Sequence, residues 1–273
     1  MPHSPSAPPT DAAELRGLPS SVWRFGQDRR FELLRALVDL SSGVALDLGC
    51  GLGVYTARMA GDGAWAMGTE IEWPRAVEAR GRGIDVVAAV GEHLPLGDGL
   101  VRTVLLHEVL EHVADDRATV REAVRVLEVG GRVIIFVPNR WWPFETHGVK
   151  WGSTYRFGNI PLVNYLPDAV RNRLAPHVRV YTRRSLRALF EGVGGGEGID
   201  GVVVVTHHGC IFPGYDNLTA RRPMLGRLAR ALTYGLERTP LRWFGLSHVL
   251  VVEKRAVSSM SERSVSERSG ASI

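Results

Sequence analysis

The chain has few of the features that mark secreted, membrane-spanning or disulfide-bonded proteins. Only two of its 273 residues are cysteines, Cys50 and Cys210, which is too few for a disulfide framework and typical of a reducing compartment. Its longest apolar runs, such as 202–205 and 133–137, are far shorter than the ~20 residues that cross a bilayer. Residues 2–19 lack the basic and apolar regions of a signal peptide. These absences predict a cytoplasmic protein.

Lysine is also scarce, because only Lys150 and Lys254 occur and arginine supplies nearly all the positive charge. The net charge of +4 bears on solubility and does not by itself indicate a particular binding site. With 45% hydrophobic and 23% charged residues, the composition is that of one globular domain, predicted over 21–255. Residues 1–20, rich in Pro, Ser and Ala, and 256–273, with two Ser-Glu-Arg-Ser repeats, are predicted to be disordered tails.

Apolar runs alternate with helical patterns along the first half of the chain. The pattern predicts helices over 23–40, from Pro74 to about Arg80, from Asp115 or Asp116 to Leu127, and over 182–191. The predicted strands are 44–48, 64–71, 84–90, 101–106, 132–137, 199–207 and 247–253. This alternation predicts an α/β fold with a doubly wound, mostly parallel seven-stranded sheet. Ligands of such sheets bind at the carboxyl ends of the strands.

The first predicted strand runs into a glycine-rich turn that begins with Asp47-Leu48-Gly49-Cys50 and continues through Gly51 and Gly53. Glycine permits close approach of backbone to a ligand and a positive φ. A dinucleotide fingerprint, G-x-G-x-x-G, would need its last glycine at Val54 or Thr56, so neither frame fits. This spacing argues against a nicotinamide-dependent dehydrogenase.

The pattern D-x-G-x-G-x-G resembles the first motif of class I S-adenosylmethionine-dependent methyltransferases. Later segments resemble the same family, namely Gly91-Glu92-His93-Leu94-Pro95-Leu96, the segment 108–113, and 122–132 with its Gly130-Gly131 pair. The resemblance covers about a third of the chain and implies a Rossmann-like fold with S-adenosyl-L-methionine as methyl donor.

The resemblance also implies which residues bind this cofactor. Asp47 would orient the turn, and Gly49, Gly51 and Gly53 would lie under the methionine and ribose. Glu70 would accept hydrogen bonds from both ribose hydroxyls, as a carboxylate suits a diol; the alternative is a solvated acid at the strand end. The full predicted set is Asp47, Leu48, Gly49, Cys50, Gly51, Gly53, Glu70, Ile71, Gly91, Glu92 and His107. Val90 stands where relatives often carry the aspartate that meets adenine, so Glu92 or a backbone carbonyl would replace it.

The end of the fourth predicted strand concentrates ionisable residues. If a helical turn follows, Glu108, Glu111 and His112 lie at i, i+3 and i+4 on one face and could hold a divalent cation. The pattern resembles that of ubiquinone-pathway O-methyltransferases, but also that of relatives with no evident metal. A structural or catalytic-base role for His112 is the alternative that we favour, and His107 is expected to pack beside the methionine moiety.

Two segments, 139–180 and 208–245, interrupt the alternation and are predicted to form a substrate lid. The first concentrates aromatic residues around Glu145 and His147, and His147 is a second candidate base. The second contains leucines 225, 228, 232 and 236 at helical spacing with arginines beside them. Such a helix either packs on its own domain, which is the commoner case, or lies on a membrane surface.

Together these features predict a methyltransferase, monomeric or weakly dimeric, that acts on a small-molecule, lipid-linked or sugar-linked acceptor, on oxygen. The alternatives are an RNA methyltransferase and a catalytically silent S-adenosylmethionine-binding protein. Methyl transfer depends mainly on alignment, so no catalytic dyad is required.

Overall fold

The computed structural model describes residues 25–152, 154–193 and 202–256, and it has the predicted α/β architecture. The predicted tails and the start of the sixth predicted strand, 199–201, lie outside these residues. The helices are α1 Phe25–Leu37, α2 Val54–Gly61, α3 Trp73–Gly81, α4 Asp116–Val126, α5 Asp168–Leu174, α6 Arg183–Ala188, α7 Asp216–Arg221 and α8 Pro223–Leu236. Short 3-10 helices occupy Val163–Tyr165 and Pro240–Phe244.

Seven strands form the main sheet, in the order β10-β11-β5-β4-β1-β2-β3. They are β1 Val44–Leu48, β2 Trp65–Glu70, β3 Val86–Ala88, β4 Val101–His107, β5 Leu127–Pro138, β10 Val202–Ile211 and β11 Ser247–Arg255. β11 is antiparallel to both of its neighbours, and the other pairs are parallel. The seven-stranded, mostly parallel sheet is therefore confirmed. Two small hairpin sheets, β6 Phe144–Glu145 with β9 Ile160–Pro161 and β7 Val149–Trp151 with β8 Thr154–Arg156, lie in the first insertion.

Several predicted boundaries were wrong. α1 ends at Leu37 rather than residue 40, where the Asp39 carboxylate accepts hydrogen bonds from the backbone N–H and hydroxyl of Ser41. α4 ends at Val126, and Gly130, with a φ of 88°, lies within β5 instead of ending the helix. β3 is shorter than predicted, and β10 continues to Ile211.

The core lies on both faces of the sheet. Buried side chains of β1, β4, β5 and α4 form the larger cluster, and α1 covers the other face with Phe31 and Leu34. Both faces of the central strands are buried, as expected for a parallel sheet. No helix among the described residues is long and apolar enough to cross a bilayer.

Candidate active site

The glycine-rich turn joins β1 to α2 and carries three left-handed glycines. Gly49, Gly51 and Gly53 have φ values of 73°, 57° and 75°, a region that other residues adopt only with strain. A Cβ on Gly53 would lie 2.5 Å from Cγ1 of Ile84, and one on Gly49 would lie 2.7 Å from Cγ2 of Val109. Conformation and close packing therefore both require glycine in this turn.

Asp47 is buried beneath the turn and contacts α2 instead of the glycines. Its carboxylate accepts a hydrogen bond of 2.7 Å from the hydroxyl of Thr56, in the first turn of that helix. Burial raises the pKa of Asp47 to about 7. The carboxyl thus ties β1 to α2 and fixes where the turn begins.

Glu70 connects the end of β2 to the glycine-rich turn. One carboxylate oxygen accepts from the backbone N–H of Gly51 and the other from that of Glu72, each at 2.9 Å. The side chain is 4% exposed. Each oxygen has a second lone pair, so the carboxylate has acceptor capacity left for a diol.

A cavity of about 800 Å³ opens at the carboxyl ends of β1, β2 and β4. Seven predicted site residues line it: Leu48, Gly49, Glu70, Ile71, Gly91, Glu92 and His112. Asp47, Cys50, Gly51, Gly53, His107 and His147 lie outside its lining. Cys50 instead braces the turn, because its N–H donates to the Thr69 carbonyl and its carbonyl accepts from Gly53 N–H, both at 2.9 Å. This combination of a left-handed glycine turn, an acid with free acceptor capacity and an adjoining cavity fits a nucleoside cofactor.

Two predicted cofactor residues have other partners. Glu92 accepts hydrogen bonds from the backbone N–H groups of Ala114 and Asp115, at 2.8 and 3.0 Å, and so holds the loop after β4. The His107 ring packs between Tyr55 and Phe136, with centroid distances of 4.4 and 5.4 Å. Burial lowers the pKa of His107 to about 3, so its ring is neutral.

The helical turn considered for residues 108–112 does not form. Glu108 has a φ of 58°, which interrupts any helix, and its carboxylate accepts from Arg30 at 3.1 Å and Ser247 at 2.9 Å. Glu108 therefore does not lie on one helical face with Glu111 and His112, although all three residues line the same cavity. Burial opposes ionisation of Glu108, but Arg30, the two nearby histidines and the Ser247 hydroxyl together outweigh it and lower the pKa of Glu108.

Glu111, His112 and His147 form a different group, which we call the acid–histidine cluster. Their ligand atoms lie within 4.8 Å of one another. Glu111 is 1% exposed, and neither carboxylate oxygen has a hydrogen-bond partner among the described residues. Burial, together with the charge of Glu108, raises the pKa of Glu111 well above its ordinary value. Glu111 therefore holds its proton more tightly than an exposed glutamic acid does, because it is buried beside Glu108.

His112 lines the cavity as a neutral imidazole. Burial, followed by the nearby His147, lowers its pKa to about 4. Its Nδ1 lies 3.1 Å from the carbonyl oxygen of His177, which can only accept, so Nδ1 carries the proton. The lone pair is then on Nε2, as a base requires.

A buried ion pair holds the other histidine of the cluster. His147 Nδ1 lies 3.2 Å from Glu145, whose second oxygen accepts from Arg171 at 2.7 Å. Both ion-pair side chains are 1% exposed. Burial opposes ionisation of Glu145, but His147 and Arg171 outweigh it and lower its pKa to about 2. Arg171 also donates to the Val178 carbonyl at 2.7 Å, so the pair fixes the loop that forms the far wall of the cavity.

That far wall lies within the segment 139–180 that was predicted as a lid, but none of its lining residues was singled out from the sequence. Residues 172 and 175–179 line the cavity, and the Arg179 N–H donates to the Glu111 carbonyl at 3.0 Å. No spacing in the sequence signals these contacts, since they join residues more than sixty positions apart. The second insertion, 208–245, contributes no lining residue to this cavity. Part of it lines a smaller cavity of about 290 Å³ beside α1.

Comparisons with known proteins show the family to which this chain belongs. Residues 46–135 match a family model described as a methyltransferase domain. A demethylmenaquinone methyltransferase of Mycolicibacterium vanbaalenii is 32% identical over 190 residues, which cover 68% of this chain and 80% of that protein. The chain therefore belongs to the class I S-adenosylmethionine-dependent methyltransferases, and its methyl donor is S-adenosyl-L-methionine.

Solved structures match the fold. An S-adenosylmethionine-dependent methyltransferase from Mesorhizobium loti has a TM-score of 0.53 at 18% identity, covering 82% of this chain and 96% of that one. The [4+2]-cyclase SpnF has a TM-score of 0.52 at 16% identity, covering 87% and 84%. Because a named cyclase shares the fold, the acceptor and its chemistry have to be argued from the site.

Proposed function

We propose that this methyltransferase transfers a methyl group to the ring hydroxyl of a small, largely apolar acceptor of the quinol class. The observation that carries the proposal is that one cavity is lined both by Gly49 and Glu70 and by Glu111 and His112. The relative from Mycolicibacterium is named for a quinone substrate, which supports an acceptor of this kind.

In this proposal the glycine-rich turn and Glu70 bind the methyl donor, with Ile71, Val90 and Gly91 beside its adenine. When bound, the donor supplies a methyl group activated by a sulfonium. Residues 172–179, from the first insertion, form a lid that excludes water from the acceptor. This arrangement aligns the reacting atoms, which is the main requirement of such a displacement.

His112 is the proposed general base. The acceptor hydroxyl gives its proton to Nε2 of His112, its oxygen bonds to the methyl carbon, and the carbon–sulfur bond breaks. The proton then leaves His112 for water, so the neutral base is restored. Glu111 lies beside His112 in the cavity lining and hydrogen-bonds the acceptor, and the Glu145 carboxylate holds the His147 ring in position. A deprotonated quinol is also nucleophilic at the neighbouring ring carbon, so alignment decides which atom is methylated.

The test compares His112→Gln with His208→Gln, since His208 is an exposed histidine outside the cavity lining. With a reduced demethylated naphthoquinone as acceptor, His112→Gln should lower kcat by ~10²–10⁴-fold, the range of general-base catalysis. Cofactor affinity measured by calorimetry should be unchanged. An unaltered kcat would remove His112 as base, and a product methylated on carbon by NMR would remove the oxygen assignment.

The same preparations discriminate the alternative functions. An RNA methyltransferase would bind RNA with a steep salt dependence, and it would leave the quinol unmodified. A silent binding protein would bind S-adenosylmethionine and turn over no acceptor.

We also propose that α8 places the enzyme on a membrane surface, where a lipophilic acceptor resides. The expected packing of its apolar face on the domain was wrong. Met224, Leu225, Leu228 and Leu232 form an exposed stripe, while the opposite side packs through the buried Gly226 on Thr219. Exposed arginines at 221, 222, 227 and 238 flank this stripe and suit anionic headgroups.

Vesicle flotation tests this contact. Leu228→Glu should reduce binding to phosphatidylglycerol vesicles, whereas Leu100→Glu should not; both leucines are 56% exposed, and Leu100 lies in a loop away from α8. Equal flotation of the two variants would refute the contact. Equal binding of the wild-type protein to phosphatidylglycerol and phosphatidylcholine vesicles would refute it as well.

A further inference from the structure

A second group of convergent ligand atoms lies at the edge of the sheet formed by β10 and β11. His207, Cys210 and His248, which we call the thiol–histidine cluster, have ligand atoms within 4.8 Å of one another. Nε2 of His207 lies 3.0 Å from Nδ1 of His248, and Sγ of Cys210 lies 3.1 Å from the same nitrogen. None of the three residues lines the cavity of the proposed active site.

A β-bulge brings the two residues of β10 to the same side. Residues three positions apart in a regular strand point to opposite faces, so His207 and Cys210 would normally diverge. The register shifts between His207 and Gly209, which inserts one extra residue and restores the common face. Gly209 has a φ of 118°, which a side chain would disfavour. Cys210 then pairs directly with His248 on β11.

The ring of His248 is oriented as in a metal ligand. Its Nε2 lies 2.8 Å from the Tyr181 carbonyl oxygen and must donate to it, which leaves the lone pair on Nδ1. Metal-binding histidines characteristically donate their second N–H to a carbonyl or carboxylate in this way. That lone pair faces both His207 and Cys210.

Without an ion, the contacts at Nδ1 of His248 compete. A single lone pair can accept from the His207 ring N–H or from the Cys210 thiol, but it cannot satisfy both donors. A cation at this point would accept a lone pair from each of the three groups, once the thiol has lost its proton. Two imidazoles and one thiolate are ligands that suit zinc, and three protein ligands leave a fourth position open.

Side chains around the thiol–histidine cluster fix the position of its rings and also limit the positive charge that it can hold. Trp243 packs against the His207 ring at a centroid distance of 5.1 Å. Arg183, Arg187 and Arg242 face His207 and oppose a cation, so the thiolate of Cys210 is needed to offset their charge.

We propose that His207, Cys210 and His248 bind one Zn²⁺ ion, which fastens the β10–β11 edge to the segment containing Tyr181. Tyr181 continues this connection, because its hydroxyl donates to the Leu110 carbonyl at 2.9 Å, immediately before Glu111. The ion would thereby support the active-site loop without contacting substrate.

The test titrates the full-length, chelator-treated protein with Co²⁺, a spectroscopic substitute for Zn²⁺. One equivalent should give a thiolate-to-cobalt charge-transfer band that added Zn²⁺ removes. The chain has only two cysteines, so retention of the band in Cys50→Ser assigns it to Cys210 even if a Cys210 variant does not fold. His207→Gln should weaken binding by more than ~10-fold, since loss of even an outer-sphere partner costs that much. The neighbouring His208→Gln should not.

The acid–histidine cluster provides the competing outcome. Binding without the charge-transfer band, lost in His112→Gln, would place the metal at that cluster and overturn the proposal. Failure of the wild-type protein to bind one equivalent of either ion would overturn it as well. Failure to bind metal would not bear on methyl transfer, which is measured separately, whereas a metal at the acid–histidine cluster would engage the proposed base His112.

Discussion

The two walls of the active-site cavity are built in different ways. The wall proposed to bind the cofactor, here the cofactor wall, comes from the ends of neighbouring strands, where Gly49 and Glu70 follow directly from the sheet. The wall proposed to face the acceptor, here the acceptor wall, consists of residues 172–179 and depends on a buried ion pair between residues 26 positions apart in the chain. The first wall is fixed by backbone geometry, and the second by long-range electrostatics. Backbone changes should therefore impair cofactor binding, and charge changes should loosen the acceptor side.

The largest effect is expected from Gly51→Val on the cofactor wall. Gly51 has a φ of 57°, which a β-branched residue adopts only with strain, and its N–H donates to Glu70. S-adenosylmethionine binding should fall below detection by calorimetry. Gly61→Val is the control, since a Cβ there has no atom within 4 Å. Retained binding in Gly51→Val would show that the turn does not hold the cofactor.

On the acceptor wall, Arg171→Leu should lower the free energy of unfolding by ~3–5 kcal/mol, because it removes the cation that faces one oxygen of the buried Glu145 carboxylate and leaves only His147 as its partner. Urea denaturation measures this effect. Arg173→Leu is the control, as Arg173 is exposed on the same helix. The double variant Glu145→Leu/Arg171→Leu should recover much of the loss. Equal stability of Arg171→Leu and the wild type would mean that the pair does not hold this wall.

A smaller effect is expected from Glu70→Ala, which keeps the glycines but removes the acceptor of the ribose hydroxyls. The loss of charge-assisted hydrogen bonds should weaken S-adenosylmethionine binding by ~1–3 kcal/mol. Calorimetry with S-adenosylhomocysteine should give the same difference, since the two molecules share the ribose. Glu191→Ala, at an exposed position, serves as control. Unchanged affinity would assign the ribose to another group.

The contrast between the walls also explains what the sequence could predict. β1 was predicted at its observed bounds, Val44–Leu48, because a short apolar run before glycines has few other interpretations. The sheet followed from the alternation of strands and helices. In contrast, the left-handed Glu108 depends on Arg30 and Ser247, which are distant in sequence, so a helical turn was predicted instead.

The same contrast holds for the candidate sites, whose residue types could be recognised in the sequence but whose long-range contacts could not. His112 and His147 were proposed from residue type and position. However, His177, whose carbonyl orients the His112 ring, and Arg171, which pairs with the Glu145 that holds His147, come from a segment with no readable pattern. The thiol–histidine cluster went unnoticed because its geometry requires a bulge between His207 and Gly209. The sequence of β10 begins with four consecutive valines and has no regular alternation of polar and apolar residues, so periodicity could not reveal a one-residue register shift.

The smallest expected effect concerns the pH dependence of kcat. Burial, more than the nearby His147, lowers the pKa of His112 from 6.5 to about 4, so the neutral base persists as pH falls through the range where an exposed histidine would be protonated. The kcat of the wild-type enzyme should therefore be constant between about pH 5 and 8, and decline only as pH approaches the lowered pKa. Stopped assays across this range, with folding checked by circular dichroism, measure the profile. Arg171→Leu, by loosening the wall and admitting water around His112, should move the decline towards pH 6.5. A wild-type midpoint already at that pH would mean that the acceptor wall does not seal the base from solvent.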